Sequence, residues 1–135
     1  MNNTNKPIIH HATGKKKTSV ASVFISNAEK PSFTINNRNA NEYLDANSLM
    51  IALSPFVTSS TPYEHFSIVV KAHGGGISSQ GFAIRHAISQ IIAKLSNETK
   101  SIVKSLGFLT RDARIVERKK PGLRKARRKE QFSKR

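Results

Sequence analysis

The residues best suited to chemistry in this sequence are cations, and they are concentrated at its C-terminal end. Residues 111–135 contain 12 Lys and Arg against three acids, a net charge of +9, whereas residues 1–110 carry +6. Arg forks onto phosphate oxygens and stacks on bases, while Lys acts as a point charge. The run predicts binding to a polyanion, and a solvating tail or a nuclear-localisation signal is the alternative.

Two glycine-containing segments could approach phosphate. Gly74-Gly75-Gly76 lies between a predicted strand and the start of a predicted helix, where backbone N–H groups can contact a phosphate oxygen. A tight turn without a ligand explains the triplet equally well. No Gly-Lys-Ser/Thr follows at Walker spacing. Gly14 followed by Lys15, Lys16 and Lys17 fails the same test and predicts a basic patch entering the first strand, with a solvated charge run as the alternative.

No catalytic or cofactor constellation is predicted. The five histidines have no nearby carboxylate pattern, and His65 with His73 is only a weak metal-site pattern. The eight acids are dispersed, so no close pair exists for acid/base chemistry. Cysteine is absent, which excludes disulfides and thiolate ligands. We therefore expect no enzyme, no cofactor and no metal.

Length and total charge favour one small nucleic-acid-binding domain. The 135 residues carry a net charge of +15 with a pI near 10.7, which requires an anionic partner. Nucleic acid is favoured over an anionic membrane surface, because no segment approaches the ~18 apolar residues that span a bilayer. Residues 1–13 lack an apolar core and any arginine, so they predict a flexible N-terminus rather than a signal or transit peptide.

Residues 17–73 predict strands and short helices. Residues 17–26 alternate as a strand, and residues 32–35 follow a turn as its partner strand. A third strand is expected at residues 65–73. Asn39 and Asn47 are candidate caps for helices at residues 40–44 and 48–53, the second ended by Pro55.

The clearest periodicity predicts a long helix. The apolar stripe at helical spacing consists of Ile84, Ala87, Ile88, Ile91, Ile92 and Leu95. Another helix is expected from about Glu98 to Leu106, capped by Asn97 and ended at Gly107. The fold class predicted is an α/β (α+β) two-layer sandwich, a single sheet covered by helices, at residues 14–110. Residues 111–135 form an extended basic tail, which from about Arg114 onward should be disordered alone in water.

The sequence resembles the family of the ninth protein of the small ribosomal subunit, in its bacterial and organellar form. The resemblance is closest from Lys119 to Arg135, and it includes Gly74–Ser78, Ala83–His86 and Thr110–Arg114. It covers residues 8–135. It departs from the family pattern at Phe82, where smaller residues are usual. It also implies no roles for residues 49–65.

The resemblance implies a structural protein of the small-subunit head. Its partners would be the 3′ domain of the ribosomal RNA, neighbouring head proteins and the anticodon stem-loop of the peptidyl-site transfer RNA. The implied transfer-RNA contacts are Lys134 and Arg135. With the basic and glycine segments of the body included, the predicted ribosomal-RNA contacts are Lys15, Lys16, Lys17, Arg38, Lys71, Gly74, Gly75, Gly76, Arg85, Arg111, Arg114, Arg118, Lys119, Lys120, Arg124, Lys125, Arg127, Arg128 and Lys129.

A second class of function stays open at this stage. The same tail would suit a free-standing nucleic-acid-binding protein or a ribosome assembly factor. No membrane association and no homo-oligomer are expected. The abundance of Asn, Lys, Ile and Ser is typical of AT-rich genomes, which favours a plastid or mitochondrial ribosome, with the bacterial cytoplasm as the alternative.

Overall fold

Residues 10–134 are described by a computed structural model, in which one mixed sheet carries the helices on one of its faces. The elements are β1 His10–Lys16, β2 Ser19–Asn27, β3 Ser32–Ile35, β4 Arg38–Asn39, α1 Ala40–Tyr43, α2 Ala46–Thr58, β5 Phe66–His73, α3 Ile77–Leu95 and α4 Asn97–Ser105. This arrangement confirms the predicted α+β class. The tail that follows α4 contains no further helix or strand up to residue 134.

The strand order is β1-β2-β5-β3-β4. β2 pairs with β1 and β5 in antiparallel fashion, while β3 pairs with β5 in parallel. The prediction that residues 32–35 pair with the preceding strand was therefore wrong, because β5 lies between them. The long β5 buries Ile68, Val70 and Ala72, whereas the short β3 buries only Ile35 fully, so β5 takes the central position.

The N-terminal strand extends into the segment that was predicted to be flexible. His10–Lys16 pairs along its length with β2, and Lys17, expected to be in a strand, adopts a left-handed φ of 53° in the connecting turn. The strand was missed because Ala12 and Gly14 supply its core face, and small residues give little hydrophobic pattern. A side chain at position 14 would overlap the backbone of α3 at Ala83. The prediction for residues 1–9 lies outside the described residues.

The two short helices differ in how well they were predicted. Asn39 caps α1 by accepting a hydrogen bond from the backbone N–H of Asn41 at 3.0 Å, as expected. α2 is instead capped at Asp45 and continues through Pro55 to Thr58, so Pro55 does not end it. The Ser54 hydroxyl donates to the Ile51 carbonyl at 2.6 Å. That carbonyl is the acceptor that the missing N–H of Pro55 would otherwise have used.

The core lies between the sheet and α3. All members of the predicted stripe are buried except Leu95, which is 40% exposed. They pack against the face of β2 formed by Ala21, Val23 and Ile25, and the opposite face of the sheet carries no helix. α4 is capped by Ser96 rather than Asn97, and Gly107 adopts the expected left-handed φ of 76°.

Candidate nucleic-acid interface

The root of the tail is fixed to the body by one carboxylate. Asp112 accepts a hydrogen bond from Lys16 Nζ at 3.0 Å and from the Arg114 guanidinium at 2.8 Å. The hydrogen bonds from Arg114, and then that from Lys16, hold the pKa of Asp112 well below its usual range. The basic patch at the end of β1 and the first tail residues, predicted separately, therefore form one continuous cationic surface.

An arginine and two phenylalanine rings lie at the junction between the body and the root of the tail. The guanidinium carbon of Arg85 lies 4.7 Å from the ring centroid of Phe82 and 4.7 Å from that of Phe108. Arg85 is off the core stripe, as predicted, but it is half-buried between the rings rather than free in solvent. Phe82, which departs from the family pattern, thus has a packing role. No pattern in the sequence linked Phe108 to this position.

His86 adds no positive charge to the junction at neutral pH. Its pKa is lowered chiefly by burial, and the nearby charges of Arg111 and Arg85 lower it further. The Lys15 backbone N–H donates to His86 Nδ1 at 3.5 Å, which requires that nitrogen to be unprotonated. The charge of this surface therefore comes from Lys and Arg alone.

Beyond the junction the tail is held in a hook by a second acid. Glu117 accepts from Lys120 at 2.6 Å and from Arg127 at 3.0 Å. The chain turns between them, with the Leu123 N–H donating to the Lys120 carbonyl at 3.2 Å and Gly122 at a φ of 79°. The exposed cations of this segment are Arg111, Arg114, Arg118, Lys119, Arg124, Lys125, Arg127, Arg128, Lys129 and Lys134. Arg135 lies outside the described residues.

The glycine triplet is explained in part by packing. Gly74 and Gly75 have left-handed φ values of 75° and 59°. A side chain at Gly74 would overlap Thr18 of the β1–β2 connection, and one at Gly75 would overlap Ser19 at the start of β2. Gly76, at the start of α3, has open space around it and offers no side-chain cap to the first helical N–H groups. Two of the three glycines are therefore required by the turn, and the phosphate contact stays a prediction.

The helix-free face of the sheet carries a row of aromatic and basic side chains, of which Lys71 was predicted as a ribosomal-RNA contact and His11 and Phe24 were not. The rings of His11 and Phe24 stack with centroids 4.5 Å apart, and Lys71 Nζ lies 5.8 Å from the Phe24 centroid. Rings beside cations suit stacking on bases next to phosphates. The period-two alternation of β2 indicated this face, but β1 had not been recognised as a strand.

The remaining predicted contacts are not all brought together. Lys15 and Lys17 are exposed at the β1–β2 turn near the tail root. Arg38 is exposed too, but in β4, at the opposite edge of the sheet. Within residues 10–134, no group of three or more His, Asp or Glu side chains could hold a metal ion. In that same part of the chain, no helix is long and apolar enough to cross a membrane.

These features define a class of protein. It has a basic α+β body and an anchored cationic tail, both of which suit a polyanionic partner. A family model for ribosomal protein S9/S16 matches residues 14–135. Small ribosomal subunit protein uS9 of Mesomycoplasma hyopneumoniae (strain 7448) is 49% identical over 133 residues, covering 97% of this chain and 99% of that protein. The protein of the same name from Borrelia turicatae (strain 91E135) is 48% identical over 124 residues, covering 91% and 90%. The chain therefore belongs to the ribosomal protein S9/S16 family.

Membership of this family resolves several sequence-based predictions. The predicted family is confirmed, and the chain is a ribosomal protein with a structural role in translation rather than an enzyme. The preference for a plastid or mitochondrion is not supported, because these relatives are bacterial. The abundance of Asn, Lys and Ile reports nucleotide composition, which AT-rich bacteria and organelles share, so it could not separate the two sources.

Proposed function

We propose that this protein is a structural component of the small ribosomal subunit that binds ribosomal RNA through its tail and the adjoining surface of its body. The body contributes the Lys15–Lys17 patch, the helix-free face of the sheet and the turn before α3. The tail contributes an exposed run of cations, and its tip, Lys134 and Arg135, contacts the transfer RNA in the peptidyl site. The relatives are named as small-subunit proteins, which supports this assignment.

One observation carries the proposal, namely that acids position the basic tail without neutralising it. Asp112 and Glu117 together engage Lys16, Arg114, Lys120 and Arg127. Within residues 10–134, the other tail cations have no ion pair and are exposed to solvent, available for phosphate. Such a tail can neutralise phosphates of RNA helices that would otherwise repel each other, and it releases their condensed counterions.

Arg85, at the junction between the body and the tail, is a second feature that suits RNA binding. Arg85 is already stacked between two rings, so its side-chain entropy is lost before any ligand binds. The edge of its guanidinium can still donate to a phosphate oxygen. This supports Arg85 as a ribosomal-RNA contact of the body next to the tail root.

A matched pair of variants tests the tail proposal. One variant replaces Arg118, Lys119, Arg124 and Lys125 by Ala, and the control replaces four exposed lysines outside the proposed interface, Lys30, Lys94, Lys100 and Lys104. Both lose four charges. We expect the logarithm of affinity for a transcript of the 3′ domain, plotted against the logarithm of salt concentration, to lose a slope of about 3 in the tail variant only. An equal loss in both variants would show diffuse attraction rather than a tail interface.

Co-sedimentation distinguishes the proposal from a free-standing factor. Small subunits containing the tagged protein are washed at high salt and pelleted. A structural component remains with the subunit, because its tail is enclosed by RNA that assembled around it. A loosely bound assembly factor is released, and that outcome would contradict the proposal.

A further inference from the structure

The helix α2 carries a second apolar stripe outside the core. Met50 and Val57 are 73% and 70% exposed, and Leu49 and Leu53 beside them are only partly buried. At 100° per residue these four side chains lie within about 100° of the helix circumference. The core-facing side of α2 is a different one, formed by Ser48, Ala52, Pro55 and Phe56. Packing against the core accounts for Leu49 and Leu53 in part, but it does not account for Met50 and Val57.

A groove adjoins the stripe. Its volume is about 370 Å³, and it lies between α2, β3 and the start of α1. Phe33, Leu49, Leu53 and Tyr63 provide its apolar walls, with polar residues of β3 and α1 at the rim. A groove of this form admits one large apolar side chain from outside, and such an anchor is typical of protein–protein contacts.

The charge around this surface is opposite to that of the rest of the molecule. Residues 27–65 contain two Lys or Arg and four acids, a net charge of −2, so the remainder of the chain carries +17. No charged side chain occurs from Ala46 to Tyr63. Glu42 and Glu64, which are exposed, directly adjoin groove residues in the chain, and so do the exposed cations Lys30 and Arg38, so the net charge of −2 belongs to the whole region. The ion pairs found within residues 10–134 use only Asp112 and Glu117 as their acids.

This combination disfavours RNA as the occupant. A phosphate backbone would meet a region of net charge −2 here, and α2 offers it apolar carbon and no cation. A second copy of the chain is disfavoured as well, because two molecules of charge +15 repel each other. A basic protein segment with a large apolar side chain complements both the groove and the net negative charge of residues 27–65.

We propose that the surface formed by α2 and its groove docks a basic segment of a different protein in the assembled ribosome. An apolar side chain of that segment fills the groove and covers Met50 and Val57, while its Lys or Arg residues face Glu42 and Glu64. This surface is separate from the tail and from the helix-free face of the sheet. It gives a role to residues 49–65, for which the family resemblance implied none.

Photocrosslinking from assembled subunits tests this assignment. Met50 and Val57 are replaced one at a time by p-benzoyl-phenylalanine, both sites being exposed enough to accept it, and salt-washed small subunits are irradiated. Lys71→p-benzoyl-phenylalanine, on the helix-free face of the sheet, is the control. Mass spectrometry identifies the product and the cross-linked peptide. We expect a ribosomal protein peptide of net positive charge from positions 50 and 57.

The proposed role of Glu42 and Glu64 is tested in the protein that carries p-benzoyl-phenylalanine at position 57. The double substitution Glu42→Lys and Glu64→Lys should lower the yield of cross-linked product roughly fivefold. The control, Glu98→Lys with Glu130→Lys, reverses the same number of charges elsewhere and should leave that yield unchanged. Cross-links from both positions to RNA or to a second copy of this chain overturn the proposal. So does the absence of any cross-link from both positions. RNA cross-links from position 71 report on the proposed RNA interface alone, so the two proposals can fail independently.

Discussion

Lys16 Nζ and Asp112 Oδ2 lie 3.0 Å apart although 96 positions separate them in the sequence. The pair joins the last residue of β1 to the root of the tail, so the direction in which the tail leaves the body is set before RNA binds. Arg114 occupies the other side of the same carboxylate at 2.8 Å. A pre-set root reduces the conformational entropy that the tail loses on binding.

Replacement of Asp112 by Asn should release this root. The pKa of Asp112 is lowered, so its contacts are stable above the ordinary value of 3.8 and are lost as pH falls below it through the lowered pKa. We expect backbone ¹⁵N relaxation of residues 111–113 to show ordering at neutral pH and mobility at strongly acidic pH. Asp112→Asn should be mobile at both, and Glu117→Gln should behave as the natural chain. Equal order at neutral pH with and without the carboxylate would contradict this role.

Two substitutions of Arg85 separate packing from charge. Arg85→Ala removes both ring contacts, so it should destabilise the protein by about 1 kcal/mol and lower Tm by roughly 4–8 °C. Arg85→Met retains a chain between the rings, so it should restore much of the Tm while still losing RNA affinity. Thermal unfolding and titration with the 3′-domain transcript measure the two effects. Lys94→Ala, exposed on the same helix, is the control. A Met variant with full RNA affinity would exclude a charge role for Arg85.

Two glycine substitutions distinguish a backbone required by packing from one available to RNA. Gly14→Ala places a methyl group into the α3 backbone, which cannot move away, so we expect a loss of at least about 3 kcal/mol. Gly76→Ala meets open space at a φ of −101° and should lower the free energy of unfolding by no more than about 1 kcal/mol, since Ala is a poorer N-cap than Gly.

RNA affinity of the Gly76 variant then tests the predicted phosphate contact. A methyl group at this position would hold a phosphate oxygen away from the first N–H groups of α3. An affinity equal to that of the natural chain would leave the triplet with a turn role alone.

The parts of the fold that were predictable have strong periodicity. The stripe of α3 and the alternation of β2 each placed apolar residues on one side, and the structure buries them together. β1 could not be found this way, because its buried residues are Ala12 and Gly14. These residues allow α3 to approach closely, but they are too small to produce a clear hydrophobic pattern. The position of β5 between β2 and β3 depends on competition among strands, which local sequence does not encode.

The candidate interface likewise has features that the sequence predicts and features that only the folded chain shows. Charge density identified the tail from sequence alone, because a local excess of Lys and Arg needs no tertiary information. The ion pair of Lys16 with Asp112 and the packing of Phe82 and Phe108 around Arg85 join residues from distant segments. Only the folded chain brings such residues together. The acidic, apolar α2 surface was hidden by the overall charge of +15, which averages over regions of opposite sign.

The sharpest functional test concerns the tip of the tail. Deleting Lys134 and Arg135 removes two cations and little apolar surface, so the fold and subunit assembly should survive. The affinity of the small subunit for transfer RNA in the peptidyl site should decrease, because with each lost phosphate contact fewer counterions are released. Since transfer RNA has many other contacts, we expect dissociation to accelerate on the order of tenfold rather than binding to be abolished.

The measurement is transfer-RNA release from purified small subunits at two salt concentrations, comparing the truncated with the full-length protein. The difference between them should shrink at the higher salt, because screening already weakens the contacts that the truncation removes. Lys100→Ala with Lys104→Ala, which removes two charges from α4, is the control and should match the full-length protein. Equal release from truncated and full-length subunits at both salt concentrations would show that the tip is a solvated end without a role in the peptidyl site.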